Sequence, residues 1–136
     1  MPEYKHSEIT DLIIKGFYAV YAHLGYGFQE RVYNNSLAIV LRNLGLEVVQ
    51  EQRIAVYYCG QMVGEYFADL VVNDAVIVEL KAVRILLEEH EAQLLNYLKA
   101  TPYEIGLLLN FGPKPEIKRK AFDNSRKGAM QWLKPV

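Results

Sequence analysis

Cysteine is almost absent from this 136-residue chain: Cys59 stands alone, so neither an internal disulfide nor a cysteine metal cluster can form. That usage suits a reducing, cytoplasmic setting. Long hydrophobic runs are missing too. The apolar stretches are strand-length, far short of the roughly eighteen residues needed to cross a bilayer, and the opening "MPEYKHSEIT" has no apolar signal core. A soluble, unexported protein with no membrane association is expected. Net charge is small, at −1, but unevenly spread. Residues 1–112 hold 8 Lys/Arg against 14 Asp/Glu, whereas residues 113–136 hold 7 against 2. The acidic body lacks the broad basic surface that nonspecific nucleic-acid binding needs. The basic tail can attract phosphate, although such a segment is more often a solvated face. Glycine-rich phosphate cradles, cofactor boxes, repeats and low-complexity segments are all lacking.

A hydrophobic content of 51% in a chain of this length predicts one globular domain over 1–136, with a core at about 9–112 and a basic tail at 113–136. Ile9, Leu12, Ile13, Phe17, Val20 and Leu24 recur at helical spacing behind Ser7 as N-cap, up to the "GYG" break. A second helix starts after Gly27, with Tyr33, Leu37, Val40, Leu41 and Leu44 on one stripe, Glu30 in its first turn and Gly45 at its C-terminus. From Glu47 the period becomes that of strands. Ile54, Val56 and Tyr58 form a first strand, Gly60 offers a turn, "MVGEYFADLVV" is a second strand, "ND" a turn and "AVIVELKA" a third. The helix "EEHEAQLLNYLKA" is stopped by "TP", and "YEIGLLLNFG" reads as a fully apolar fourth strand reached by a crossover. A final basic helix is expected over 117–127, with "MQWLKPV" trailing. The order is α, α, β, β, β, α, β.

Chemistry concentrates in "ADLVVNDAVIVELKA" (68–82), where Asp69, Glu79 and Lys81 interrupt strands that read as buried. Glu79 and Lys81, two apart, project from one strand face. A strict two-residue loop at Asn73 and Asp74 pairs Asp69 with Val78 and sends the carboxylates to opposite faces. A three-residue loop or a bulge instead sets Asp69 against Glu79, and this odd register is the expectation. Carboxylates on neighbouring strands, with Cβ atoms about 5 Å apart, can share one hard cation, Mg²⁺ or Mn²⁺, with the Leu80 carbonyl as a further oxygen donor. Such a site suits phosphodiester hydrolysis, with the Lys81 ammonium offsetting developing charge. Taken alone, a Glu-x-Lys on a strand is commonly a surface ion pair.

Asp69 followed by Glu79-Leu80-Lys81 resembles the signature of the PD-(D/E)XK nuclease superfamily, and the element order resembles its αβββαβ core. Gln93 and Tyr97, one helical turn apart in "QLLNY", are similar to the Q-x-x-x-Y motif of RecB-like members. "GFQERVY" (Gly27, Glu30, Tyr33) is similar to the motif that names the GxxExxY family within that superfamily. The resemblance spans roughly Ile9 to Gly112, with Ala68 where the superfamily name has proline. It implies an α/β, restriction-endonuclease-like fold: a mixed four-stranded sheet flanked by helices, with an extra N-terminal helix and the basic C-terminal helix added. It further implies Asp69, Glu79 and Glu30 around Mg²⁺ or Mn²⁺, Lys81 as catalytic lysine, and Gln93 and Tyr97 positioning lysine or phosphate. Each residue has a plainer role open to it. Glu30 complements a helix dipole, Gln93 and Tyr97 make a helix-face pair with the ring in the core, and His90 reads as solvated.

The implied function is a metal-dependent nuclease acting on DNA or RNA. The alternative is a noncatalytic nucleic-acid or protein interaction module retaining the fold, homodimeric through an apolar "GLLLNFG" edge strand. A small-molecule phosphodiesterase is a third reading.

Overall fold

A computed structural model describes residues 5–128; "MQWLKPV" lies outside them. Helix α1 (Ser7–Leu24) buries Ile13, Phe17 and Val20, and helix α2 (Glu30–Asn43) buries Tyr33, Leu37 and Leu41. His6, not Ser7, is the N-cap of α1, without a side-chain cap. The first turn closes instead through the Thr10 N–H donating to the His6 carbonyl at 3.0 Å, which leaves the serine hydroxyl no capping task. At the end of α2, Gly45 takes φ 88°. Its N–H donates to the Arg42 carbonyl at 3.0 Å, and the Leu46 N–H donates to the Leu41 carbonyl at 3.1 Å. This is the Schellman pattern, completed by Leu41 and Leu46 in the same apolar core.

Five strands follow: β1 (Val48–Tyr58), β2 (Gln61–Val72), β3 (Val76–Lys81), β4 (Ile105–Phe111) and β5 (Pro115–Ala121), with helix α3 (Glu88–Lys99) between β3 and β4. They lie side by side in chain order. Only β3 and β4 run parallel, so the sheet is mixed. Cys59 and Gly60, both at positive φ, make the two-residue β1–β2 turn whose twist matches that of the strands. No helix among the described residues is long and apolar enough to cross a membrane.

Two expectations fail at the C-terminal end. The sheet has five strands rather than four, and the segment expected as a basic helix over 117–127 forms β5 and a short 3-10 turn, Asn124–Arg126. The apolar strand β4 needs a hydrogen-bonding partner on its outer side. "PEIKRKA" supplies it along the whole length from Ile105↔Ala121 to Phe111↔Pro115, while Ile117 packs on the core. Sheet pairing overrides local composition here. In consequence β4 is an interior strand, not an edge, and the lysines and arginine of β5 occupy the edge, where charge discourages further pairing.

The sheet separates two apolar layers. Val76, Val78 and Leu80 of β3 join the layer beneath α1 and α2, whereas Ile77 joins the layer beneath α3. By alternation Glu79 and Lys81 follow Ile77 toward α3. Gly106 sets how closely α3 approaches: a Cβ there would lie 2.7 Å from Leu94 Cδ1. Gly106→Val should therefore cost about 1–3 kcal/mol by overpacking and Leu94→Ala about 2–5 kcal/mol. The double variant should lose clearly less than the sum, measured by urea unfolding; strictly additive losses would show that the two do not compete for the same space.

Candidate active site

The odd hairpin register is the one adopted. Asn73 (φ 52°) and Asp74 (φ 50°) turn through the left-handed region, a conformation these two residue types tolerate better than most. The loop then closes on Val72↔Val76, Val71↔Ile77 and Leu70↔Val78. One further step sets Asp69 opposite Glu79. There side chains take over from the ladder: the Asp69 N–H donates to Glu79 Oε1 at 3.1 Å, and the Leu80 N–H donates to Asp69 Oδ2 at 2.8 Å. Each carboxylate thus ties its own strand to the neighbouring backbone.

These bonds do not fully offset the buried charge. Glu79 is 5% exposed, and burial, then the Asp69 carboxylate, push its carboxyl up to about 9, against the pull of the Asp69 N–H and the Lys81 ammonium. Tyr97 of α3 is pushed up to about 12 by burial and then by Glu79 and Asp69, so its phenol keeps its proton near neutral pH. Asp69, Glu79, Lys81 and Tyr97 are therefore brought into one electrostatic cluster.

Glu30 approaches from the other side. It lines a recess of about 120 Å³ together with Arg31, Asn34, Glu51, Asp69 and Leu80. The Gly27, Glu30, Tyr33 spacing has a structural reason. Gly27 takes φ 117°, which strains any residue with a Cβ. The Tyr33 hydroxyl donates to the Gly25 carbonyl at 2.7 Å and accepts the Phe28 N–H at 3.2 Å. With its ring stacked on Phe111 at 4.2 Å, Tyr33 fixes the loop that starts α2 at Glu30. Glu30 is nonetheless exposed. Among the described residues no three His, Cys, Asp or Glu are gathered closely enough to hold an ion.

Three recess residues escaped the sequence reading: Arg31, Glu51 and Asn34. Glu51 sits mid-strand at φ 56°, between the pairs Gln50↔Leu70 and Gln52↔Ala68 and hence across from Asp69. Partial desolvation and the Asp69 carboxylate push its carboxyl above the usual range, with Arg31 opposing. Asn34 is buried between α2 and the sheet, accepting from Gln50 Nε2 at 2.7 Å and donating to the Asp69 carbonyl at 3.4 Å. A polar residue on the buried stripe of α2, one turn after Glu30, was the available signal.

On the α3 side, Gln93 is exposed and shares a groove with Tyr97. Lys81 is half-buried and faces Asn110 across the parallel β3–β4 pair. Asn110, fully buried, accepts the Val83 N–H at 3.0 Å and donates to the Val83 carbonyl and to Glu116, both at 2.9 Å, so the chain leaving Lys81 is held on both sides. His90 accepts the Leu87 N–H at 3.0 Å and serves as a helix cap.

The sequence model of the PD-(D/E)XK nuclease superfamily matches residues 7–120. The chain belongs to that superfamily. No curated protein and no solved structure gives a significant match. Superfamily membership suggests a nuclease with a nucleic-acid substrate, and PD-(D/E)XK nucleases generally use divalent metal ions. The three helices around a mixed five-stranded sheet are consistent with the PD-(D/E)XK fold. The donor chemistry here fits such an ion: hard carboxylate oxygens, with negative charge in excess of what the neighbouring N–H groups and Lys81 offset.

The Asp69–Glu79 pair should make metal-free stability depend on pH. Between the ordinary Glu79 value of 4.5 and its folded value of about 9, the folded protein holds a proton that the unfolded chain has released. Stability then falls as pH rises through that window, by up to about 1.4 kcal/mol per pH unit. Urea unfolding in EDTA from pH 5 to 9 should show this slope in the wild type and a flatter one in Glu79→Gln; equal slopes would mean the pair holds no such proton.

Proposed function

We propose that this protein is a metal-dependent nuclease hydrolysing phosphodiester bonds of DNA or RNA, of the GxxExxY type within its superfamily. The carrying observation is the Asp69–Glu79 pair, two carboxyl groups set together across β2 and β3, where burial and mutual repulsion raise Glu79 above its ordinary range. In this reading Asp69, Glu79, the Leu80 carbonyl and Glu30 hold Mg²⁺ or Mn²⁺. Such an ion would supply Lewis acidity toward the phosphate and the attacking water. The chain's own groups do the rest. Lys81, beside Glu79, offsets negative charge growing on the phosphate. The Tyr97 phenol, protonated throughout the working range, and the Gln93 amide offer hydrogen bonds to phosphate oxygens or to Lys81. Asn110 keeps Lys81 in place by pinning the loop at Val83.

A noncatalytic interaction module finds one supporting observation: Tyr58, Met62, Val63 and Phe67 are exposed on the β1–β2 arm, whose outer strand β1 is an open edge.

Mn²⁺ titration by calorimetry and cleavage of labelled DNA and RNA test the nuclease reading. Asp69→Ala and Glu79→Ala should abolish both metal binding and cleavage, whereas Lys81→Met should still bind Mn²⁺ with kcat reduced about 100- to 1,000-fold. A wild-type protein that binds neither Mn²⁺ nor Mg²⁺ would transfer support to the interaction module.

A further inference from the structure

Between the β1–β2 arm and α3 lies a groove of about 550 Å³, within the ~300–1,000 Å³ range of pockets that enclose small molecules. Val56 and Val63 of the arm form one side, and Gln93, Asn96 and Tyr97 of α3 the other. The ring of Tyr66 stands in it, 46% exposed, its centroid 5.6 Å from that of Tyr97 at 45°. Gly64 makes room for that ring: a Cβ there would lie 3.1 Å from Tyr66 Cε2.

Two properties narrow the occupant. The lining holds no lysine or arginine, and its one ionisable carboxylate is Glu89, so a phosphate would meet no cation there. A neutral, flat, hydrogen-bonding group suits it instead: an aromatic ring to stack on, aliphatic walls, and two side-chain amides at the rim. The second property is continuity. Tyr97 belongs both to the groove and to the cluster around Glu79 and Asp69, so a group in the groove is tethered beside the carboxylates.

We propose that this groove receives one unpaired nucleobase of a single-stranded nucleic acid whose adjoining phosphate lies at the carboxylate pair, stacked on Tyr66 and hydrogen-bonded by Asn96. The inference rests on the nuclease reading and deepens it by naming the substrate class. A base still paired in a duplex cannot enter a groove walled by a hairpin arm and a helix; an unpaired one can. Both DNA and RNA strands present that chemistry.

The test is fluorescence anisotropy with labelled oligo(dT), oligo(U), an abasic oligonucleotide with the same number of phosphates, and a blunt duplex, with Ca²⁺ in place of Mg²⁺ and separately in EDTA. Single strands should bind the wild type more tightly than either the abasic strand or the duplex. Tyr66→Ala should weaken oligo(dT) about tenfold, toward the abasic level, while Tyr66→Phe retains binding. Ala92→Leu, which fills the groove from an exposed helical position, should also weaken oligo(dT) with the melting temperature unchanged. Equal binding of abasic and base-bearing strands, unaltered binding in both Tyr66→Ala and Ala92→Leu, or no binding in either buffer would overturn the proposal. Base-dependent binding with no Mg²⁺-dependent cleavage would leave the groove standing and remove the nuclease reading; cleavage indifferent to Tyr66 would do the reverse.

Discussion

Two carboxylates facing one another inside a sheet repel, and the rest of the molecule is arranged around that repulsion. Asp69 and Glu79 are tolerated because each finds a backbone N–H on the neighbouring strand, and because burial lets the pair keep a proton. Neither device removes the charge problem; each makes it smaller. An acidic pair of this kind is poorly explained by stability alone, since apolar residues at both positions would continue the layers on which β3 packs.

Asp69 is also where two spaces meet. On the α2 side is the small polar recess with Glu30, Glu51 and Arg31; on the α3 side is the larger, mostly apolar groove reached through Tyr97. Charge is sorted accordingly: the recess holds Glu30, Arg31, Glu51 and Asp69, whereas the groove, Glu89 apart, is lined by amides, rings and aliphatic groups. That division answers the difficulty posed by an acidic body acting on an anionic polymer. Attraction need not come from a basic surface if a bound cation and Lys81 meet the phosphate while the groove takes the base. The basic residues of β5 lie two strands from Glu79, and Lys120 among them is already paired with Glu91 at 2.7 Å.

Periodicity made α1, α2, α3 and the first four strands legible, because their apolar stripes are long and their turns carry Gly45, Gly60 and Asn73-Asp74. The Asp69–Glu79 pairing was legible too, once those apolar strands were required to bury both carboxylates on one site. The strand β5 was not, since "EIKRKA" carries too much charge to announce a strand, and its pairing depends on the distant outer edge of β4. Nor was Glu51, which becomes part of the recess only through the β1–β2 register. Tyr66 and Asn96 were hidden for the same reason. Their groove exists between elements far apart in sequence, and a half-exposed tyrosine in a strand carries no mark of what faces it.

Backbone strain gathers at the same place. Asn73 and Asp74 fix the register of β2 on β3, and Glu51 holds a left-handed conformation in mid-strand directly across from Asp69. A non-glycine residue in that region costs about 1–3 kcal/mol, more than an isolated edge strand would be expected to sustain. What sustains it is pairing with β2 along nearly its whole length, and β2 in turn rests on a parallel pair in which every residue of β4 is buried, as is every residue of β3 except Lys81. The apolar centre of the sheet carries Glu79 and Lys81, the β2–β3 register sets Asp69 opposite Glu79, and on the α2 side Glu51 and the start of α2 with Glu30, held by Tyr33 stacked on Phe111, meet Asp69 in the recess. Placing the charged residues within paired strands and at the start of a packed helix, rather than on free loops, is what allows so unfavourable a cluster to persist in one geometry.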